Sequence, residues 1–324
     1  MFRFPLFQIQ PLSFWLGFLG GIIFWWLINQ VKKLFPILKE NYRKRQEAIK
    51  ARQEAGVQAY FLGYYKAFFN ESHIAADIFP YSTIFVKPEY LAPPPPPSDD
   101  LDKTEGFMLT KVLPYIPECP DVLSEFGWPS LNNRDVLNSR NHFTLVGTPG
   151  AGKTTALLSL SIDALEDPDI SKLPLYVNYL DIMRSNEIPI DQQLFDALPM
   201  PGEKAVNVLY REVILSKIVE GETALLLDGL DELSQQYHQE AVRFIITLLE
   251  KFPKLQVITA STSDYLDGLT SLPITPLALV TWKPKDISRF TDQWVSAWNN
   301  ALAPNLPVEG NKNDFIQPII SQWI

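Results

Sequence analysis

"HFTLVGTPGAGKTTALLSLSIDAL", residues 142–165, runs from an apolar strand through a glycine-rich loop into a helix. Phe143 to Val146 give the strand, and "TALLSLSIDAL" (155–165) carries the apolar period of a helix packed on a sheet. Between them Gly147, Thr148, Pro149, Gly150, Ala151, Gly152, Lys153 and Thr154 fit the pattern G-x-x-x-x-G-K-[ST] without deviation. Glycines at these places let backbone N–H groups turn inward around a phosphate, and the helix N-terminus adds positive partial charge. On this reading Lys153 reaches the β- and γ-phosphates, Thr154 supplies a Mg²⁺ ligand, and Thr155 completes the binding set.

A phosphate loop of this kind needs a second strand ending in an acid, which holds Mg²⁺ through its water shell. "TALLLDGLDEL" (223–233) supplies it, with Asp228 standing 75 positions beyond Lys153. Carboxylates crowded at the end of an apolar run repel one another unless a cation or proton neutralises them. Asp228 is therefore the expected metal-side acid, and Gly229 leaves space beside the metal. Glu232, with Asp231 next to it, is the expected activator of the attacking water. The alternative for these last two is that they only cap the next helix. Further strands are expected at "LPLYVNYL" (173–180), "KLQVITA" (254–260) and "LPITPLAL" (272–279), with a helix over 202–219. The alternation predicts an α/β fold, a doubly wound parallel sheet of about five strands with nucleotide at the strands' C-terminal ends.

Charge is unevenly spread along the 324 residues, whose net charge is -9. Residues 1–54 hold nine Lys/Arg against three Glu, so the head is basic and the body acidic. That balance excludes a broad nucleic-acid-binding surface, and no direct nucleic-acid binding is expected. Cys119 is the single cysteine, so no intrachain disulfide forms. The three histidines, His73, His142 and His238, lack metal-ligand spacing.

From Phe4 to Val31 no residue is charged, and "LSFWLGFLGGIIFWWLINQV" (12–31) has the ~20 residues that a helix needs to cross a bilayer. Trp15 near one end and Trp25 and Trp26 near the other suit membrane interfaces. Residues 1–33 are thus expected to anchor the chain, with lipid contacted through residues 12–31. The basic residues after the helix place the N-terminus outside and the body in the cytoplasm. Gly17 and Gly21 form a G-x-x-x-G that lets two such helices pack closely. Residues 34–92 are expected to form a helical juxtamembrane region to about Phe69, broken near Gly56, followed by a short strand in "YSTIFVKPEYL" (81–91). A stiff proline-rich acidic linker over 93–105 and a pre-domain segment over 106–140 lead into the α/β domain, 141–298. Residues 299–324 begin a helical lid.

Taken in order, "GTPGAGKTT", "LLLDGLDEL", "LQVITAST" and "PLALVTWKPKDISRFTDQW" resemble the successive motifs of NACHT NTPases, members of the STAND class. The resemblance covers roughly residues 141–298. It implies a switch that binds and slowly hydrolyses ATP or GTP with Mg²⁺, forms a homo-oligomer on activation and signals to a partner not named by the sequence. Bacterial members of the family often act in defence, and here a membrane segment would be fused to the switch. Two other readings fit the same motifs: a membrane-tethered ATP-driven remodelling or transport motor, and a non-hydrolysing nucleotide-binding scaffold. The chain departs from the family where a fourth-strand arginine usually senses the γ-phosphate. "ITASTSDY" places Ser261 at that position, and no arginine stands nearby. Members of the family continue into a winged helix and sensor repeats, so the chain is expected to be either a fragment or a minimal form lacking its sensor.

Overall fold

The computed structural model describes residues 11–93, 115–183 (apart from 118, 126, 127 and 129) and 189–302. The chain divides into two compact units, Met1–Gly56 and Val57–Ile324.

The first helix, α1 (Pro11–Glu71), is a single element of 61 residues. It runs on through Pro36 and also through Gly56, where a break was expected. A glycine inside a helix costs only about 1 kcal/mol against alanine. Pairs four residues apart, Glu40–Lys44, Arg43–Glu47 and Lys50–Glu54, support the charged middle of the helix. The stretch 12–31 is helical, yet the expected membrane-spanning element is not found as such. Among the described residues no helix is long and apolar enough to cross a membrane. The helix carries on beyond Val31 into charged sequence, and several side chains of the stretch, including Leu27 and Val31, lie outside the described set. Its described members up to Trp26, among them Trp15, Phe18, Ile22, Phe24 and Trp25, are exposed, and Ile28 and Gln30 are half-buried.

Among the described residues of the second unit the sheet has seven strands, two beyond the expected parallel set of five. In chain order they are β1 (Tyr90–Leu91), β2 (Ser130–Leu131), β3 (His142–Val146), β4 (Leu173–Asn178), β5 (Thr223–Asp228), β6 (Gln256–Ser261) and β7 (Ile274–Leu279). Their spatial order is β2-β1-β7-β3-β6-β5-β4. The five predicted strands form one parallel set. The two extra strands, each of two residues, add antiparallel pairs beyond β7. Most of "YSTIFVKPEYL" is not strand: Tyr81–Thr83 form a short 3₁₀ turn, and pairing begins only at Tyr90.

Apolar runs explain the central strands. All six residues of β5 and of β6 are buried, as both faces of a covered parallel sheet require. Helices α2 (Pro120–Glu125) and α3 (Asn133–Asn138) precede β3, and α4 (Lys153–Glu166) follows it. Between β4 and β5 lie α5 (Tyr179–Met183), α6 (Ile190–Ala197) and α7 (Lys204–Glu220). Helix α8 (Gln235–Lys251) joins β5 to β6, α9 (Leu266–Thr270) joins β6 to β7, and α10 (Pro284–Leu302) follows β7. The C-terminal turns of α1 contribute Phe61, Tyr65 and Phe69 to the main core. The Tyr65 hydroxyl donates to the Pro174 carbonyl at 3.2 Å and accepts from the Tyr176 N–H at 3.0 Å, which ties α1 to β4.

The strand order fixes where a site can form. β6 lies between β3, which carries the glycine-rich loop, and β5, which ends in Asp228. The C-terminal ends of β3, β6 and β5 therefore open on one crevice, where doubly wound sheets bind ligands. The linker expected over 93–105 lies, beyond residue 93, outside the described residues, as does the expected lid beyond Leu302.

Candidate functional site

The loop between β3 and α4 owes its shape to glycine. Gly150 and Gly152 have φ of +83° and +87°, which side chains on L-residues rarely adopt, and Gly152 stands immediately before α4. Nothing lies within 4 Å of where a Cβ would stand at either position, so the backbone is open to a close ligand. At the head of α4, Lys153 is only 8% exposed. Its Nζ donates to the carbonyls of Gly147 at 2.9 Å and Thr148 at 3.1 Å, and pairs with Asp231 Oδ2 at 3.1 Å.

At the end of β5, Asp228 is 5% exposed. A buried carboxylate needs partners, and each oxygen has one. Oδ1 accepts from the Gly229 N–H at 2.9 Å, and Oδ2 accepts from the Tyr176 hydroxyl at 2.8 Å. Burial first, and then the Asp228 charge, push the Tyr176 phenol far above its ordinary range, so that it stays a proton donor. The chain then turns sharply. Gly229 has φ +78°, and a Cβ there would sit 2.9 Å from Asn178 Oδ1 on β4, the residue in register with Asp228. The turn leads into a 3₁₀ segment, Leu230–Glu232, that carries Asp231 and Glu232. Neither acid caps α8, whose N-cap is Ser234.

These groups meet in one cavity of about 650 Å³, lined by Thr148, Pro149, Gly150, Gly152, Lys153, Thr154, Asp228, Asp231, Glu232, Thr262, Ser263 and Asp264. The sequence-predicted loop residues and all three predicted acids thus converge. Gly147, Ala151 and Thr155 support or flank the loop without lining this cavity. The residues fit a polyphosphate: open backbone, one buried lysine and a hydroxyl at the helix head. They also fit Mg²⁺ carried with phosphate and water. Among the described residues, no cluster of three or more His, Cys, Asp or Glu is built to hold a metal by itself.

The position expected to face the terminal phosphate is corrected. Ser261 is fully buried at the end of β6, and its hydroxyl donates to the Thr262 carbonyl at 3.2 Å. It is Thr262, Ser263 and Asp264 that face the cavity. Asp264 thus brings a carboxylate to the cavity beyond the end of β6. Sequence spacing missed it because the side chains beyond a strand end depend on the turn that follows.

A second cavity, of about 560 Å³, opens on the other flank of the same loop. Tyr81, Phe85 and Trp282 line it together with Thr155, Ala156 and Leu279. Burial raises the pKa of the Tyr81 hydroxyl, and the neighbouring Thr155 side chain offsets part of that rise. Large flat rings beside a phosphate loop form a surface on which a base can stack. No arginine lines either cavity among the described residues. The aromatic content of residues 81–85 was visible in the sequence, but it read as strand rather than as site.

The family model described as NACHT domain matches residues 142–297, just under half of the chain. No curated protein matches significantly. Among solved structures, the chain is similar to C. elegans PCH-2, with 14% identity, a TM-score of 0.35, and coverage of 66% of this chain and 58% of that one. It is also similar to Cdc6p from Pyrobaculum aerophilum, with 17% identity, a TM-score of 0.29, and coverage of 74% and 57%. The chain thus spans less than three fifths of either protein, and likeness at these scores carries no argument about function. The family match and the convergent cavity agree on the class: residues 142–297 form a P-loop NTPase domain.

Proposed function

We propose that this chain is a membrane-anchored, nucleotide-dependent signalling switch that binds ATP or GTP with Mg²⁺ and hydrolyses it slowly. One observation carries the reading: the phosphate cavity holds four carboxylates, Asp228, Asp231, Glu232 and Asp264, against the single ammonium of Lys153. A triphosphate entering it brings more negative charge and needs Mg²⁺ to bind. Once it is bound, little fixed positive charge is present to stabilise a transition state. Slow turnover follows, and slow turnover suits a switch better than a motor.

The residue roles follow the geometry. Lys153 exchanges Asp231 for phosphate, so binding releases that carboxylate. Thr154 and Asp228 would hold a Mg²⁺ with its waters, and the metal would supply charge neutralisation at the phosphates. Glu232 is exposed in the cavity and takes the proton of the attacking water. The base lies against Tyr81, Phe85 and Trp282. Released Asp231 is the local event that a homo-oligomer and a signalling partner would read.

The anchor belongs to the same proposal. Large apolar side chains at 15–26 are exposed. So many exposed rings in succession are costly in water, and a bilayer covers them. The basic residues that follow set the NTPase domain in the cytoplasm.

Turnover tests the switch. Purified chain is expected to release phosphate from ATP with Mg²⁺ at well under one event per second. Glu232→Gln should bind nucleotide normally and lower that rate by a further ~100-fold. Untriggered turnover of many events per second would favour the motor, and an unchanged rate in the variant would remove Glu232 from the chemistry.

A further inference from the structure

Asp228 is fixed from a direction that the sequence motifs do not show. The Tyr176 hydroxyl reaches its Oδ2 at 2.8 Å from the edge strand β4, and the Gly229 N–H holds the other oxygen. With one donor on each oxygen, the carboxylate has one rotamer and one face for a hydrated cation. Tyr176 is itself seated by α1. Its ring lies 6.3 Å from that of Tyr65, edge to face, and 5.9 Å from that of Phe68, while its backbone N–H donates to the Tyr65 hydroxyl. Tyr65 is fully buried, whereas Phe68 is 40% exposed. A short contiguous path therefore runs from the Val57–Glu71 turns of α1 through one phenol to the metal-side acid. Core packing alone does not need the Tyr176 hydroxyl, since a phenylalanine would fill the same space.

We propose that Tyr176 is the positioning residue of Asp228 and the contact through which the C-terminal turns of α1 are coupled to the metal side of the site. The proposal rests on the nucleotide reading above. Partners behind a metal-side group typically matter by 10–100-fold in metal affinity, because they set its orientation and basicity. The coupling is reciprocal: whatever moves α1 changes the cation's hold, and the cation steadies α1.

The experiment uses the full chain, wild type and Tyr176→Phe. Affinity for a nucleoside diphosphate is measured by calorimetry with and without Mg²⁺, and amide exchange is followed over residues 57–71. In wild type, Mg²⁺ should tighten binding and slow exchange in that segment. In Tyr176→Phe the Mg²⁺-free affinity should stay within about twofold, while the Mg²⁺-dependent gain falls about tenfold and the exchange response is lost. Phe68→Ala, which leaves the hydroxyl in place but loosens its seat, should give a smaller fall in the same direction and serves if the first variant does not fold. An unchanged Mg²⁺ gain in both variants would overturn the assignment, as would an equal loss of affinity with and without the cation. Failure of wild type to bind any nucleotide would instead sink the reading on which the proposal rests.

Discussion

At the residue scale, a handful of side chains decide what the cavity accepts. Lys153 and Asp231 neutralise each other at 3.1 Å, so a phosphate competes with a carboxylate already in place. Asp264 has no such counter-charge in the cavity and stands beyond the end of β6, between the loop strand and the acid strand. Its charge opposes the last phosphate of a triphosphate more than it opposes a diphosphate, which is shorter. Asp264→Asn should therefore raise the affinity for a non-hydrolysable triphosphate analogue about fivefold relative to a diphosphate, with the difference shrinking as salt is added. Parallel titrations of the two nucleotides check this, and an unaltered ratio would remove Asp264 from selectivity. The loop and Asp228 were legible in the sequence because glycine, lysine and a strand-end acid each have one physical use at that spacing. Tyr176 and Asp264 were not, since their roles come from strand order and from a turn.

At the element scale, long apolar runs announced themselves and short pairings did not. β3, β4, β5, β6 and β7 all fall within or beside the stretches expected as strands, since a strand covered on both faces needs an unbroken apolar run. β2, with two residues, has no period to read, and β1 occupies only the last two residues of the stretch 81–91 expected to hold a strand. The helix α1 shows the opposite error: Gly56 looked like a break, but helix formers on either side and the ion pairs that precede it carry the helix across. Its exposed apolar stretch makes a prediction at this scale. Expressed full-length chain should stay with membranes through alkaline carbonate extraction, and placing lysines at Phe18 and Phe24 together should release it. The cost of a charge at the centre of a bilayer, about 3 kcal/mol each, sets the expectation. Release of the unaltered chain by carbonate would show that the stretch does not span a membrane.

At the scale of the whole molecule, the fold brings together groups far apart in sequence. The loop at 147–154, the acids at 228–232 and the turn at 262–264 share one crevice only because β6 is threaded between β3 and β5. The aromatic flank at Tyr81, Phe85 and Trp282 joins from two further segments. The domain's class was legible from two motifs, whereas the charge balance of the finished cavity required the topology. The central claim is that this crevice binds a Mg²⁺–nucleotide through Lys153, and equilibrium binding of a fluorescent nucleotide to the full chain tests it most directly. Saturable, Mg²⁺-strengthened binding of one nucleotide per chain is expected, reduced at least ~100-fold in Lys153→Ala, where the ammonium on the phosphates is lost. Absent binding in the wild type, or equal binding in the variant, would contradict it.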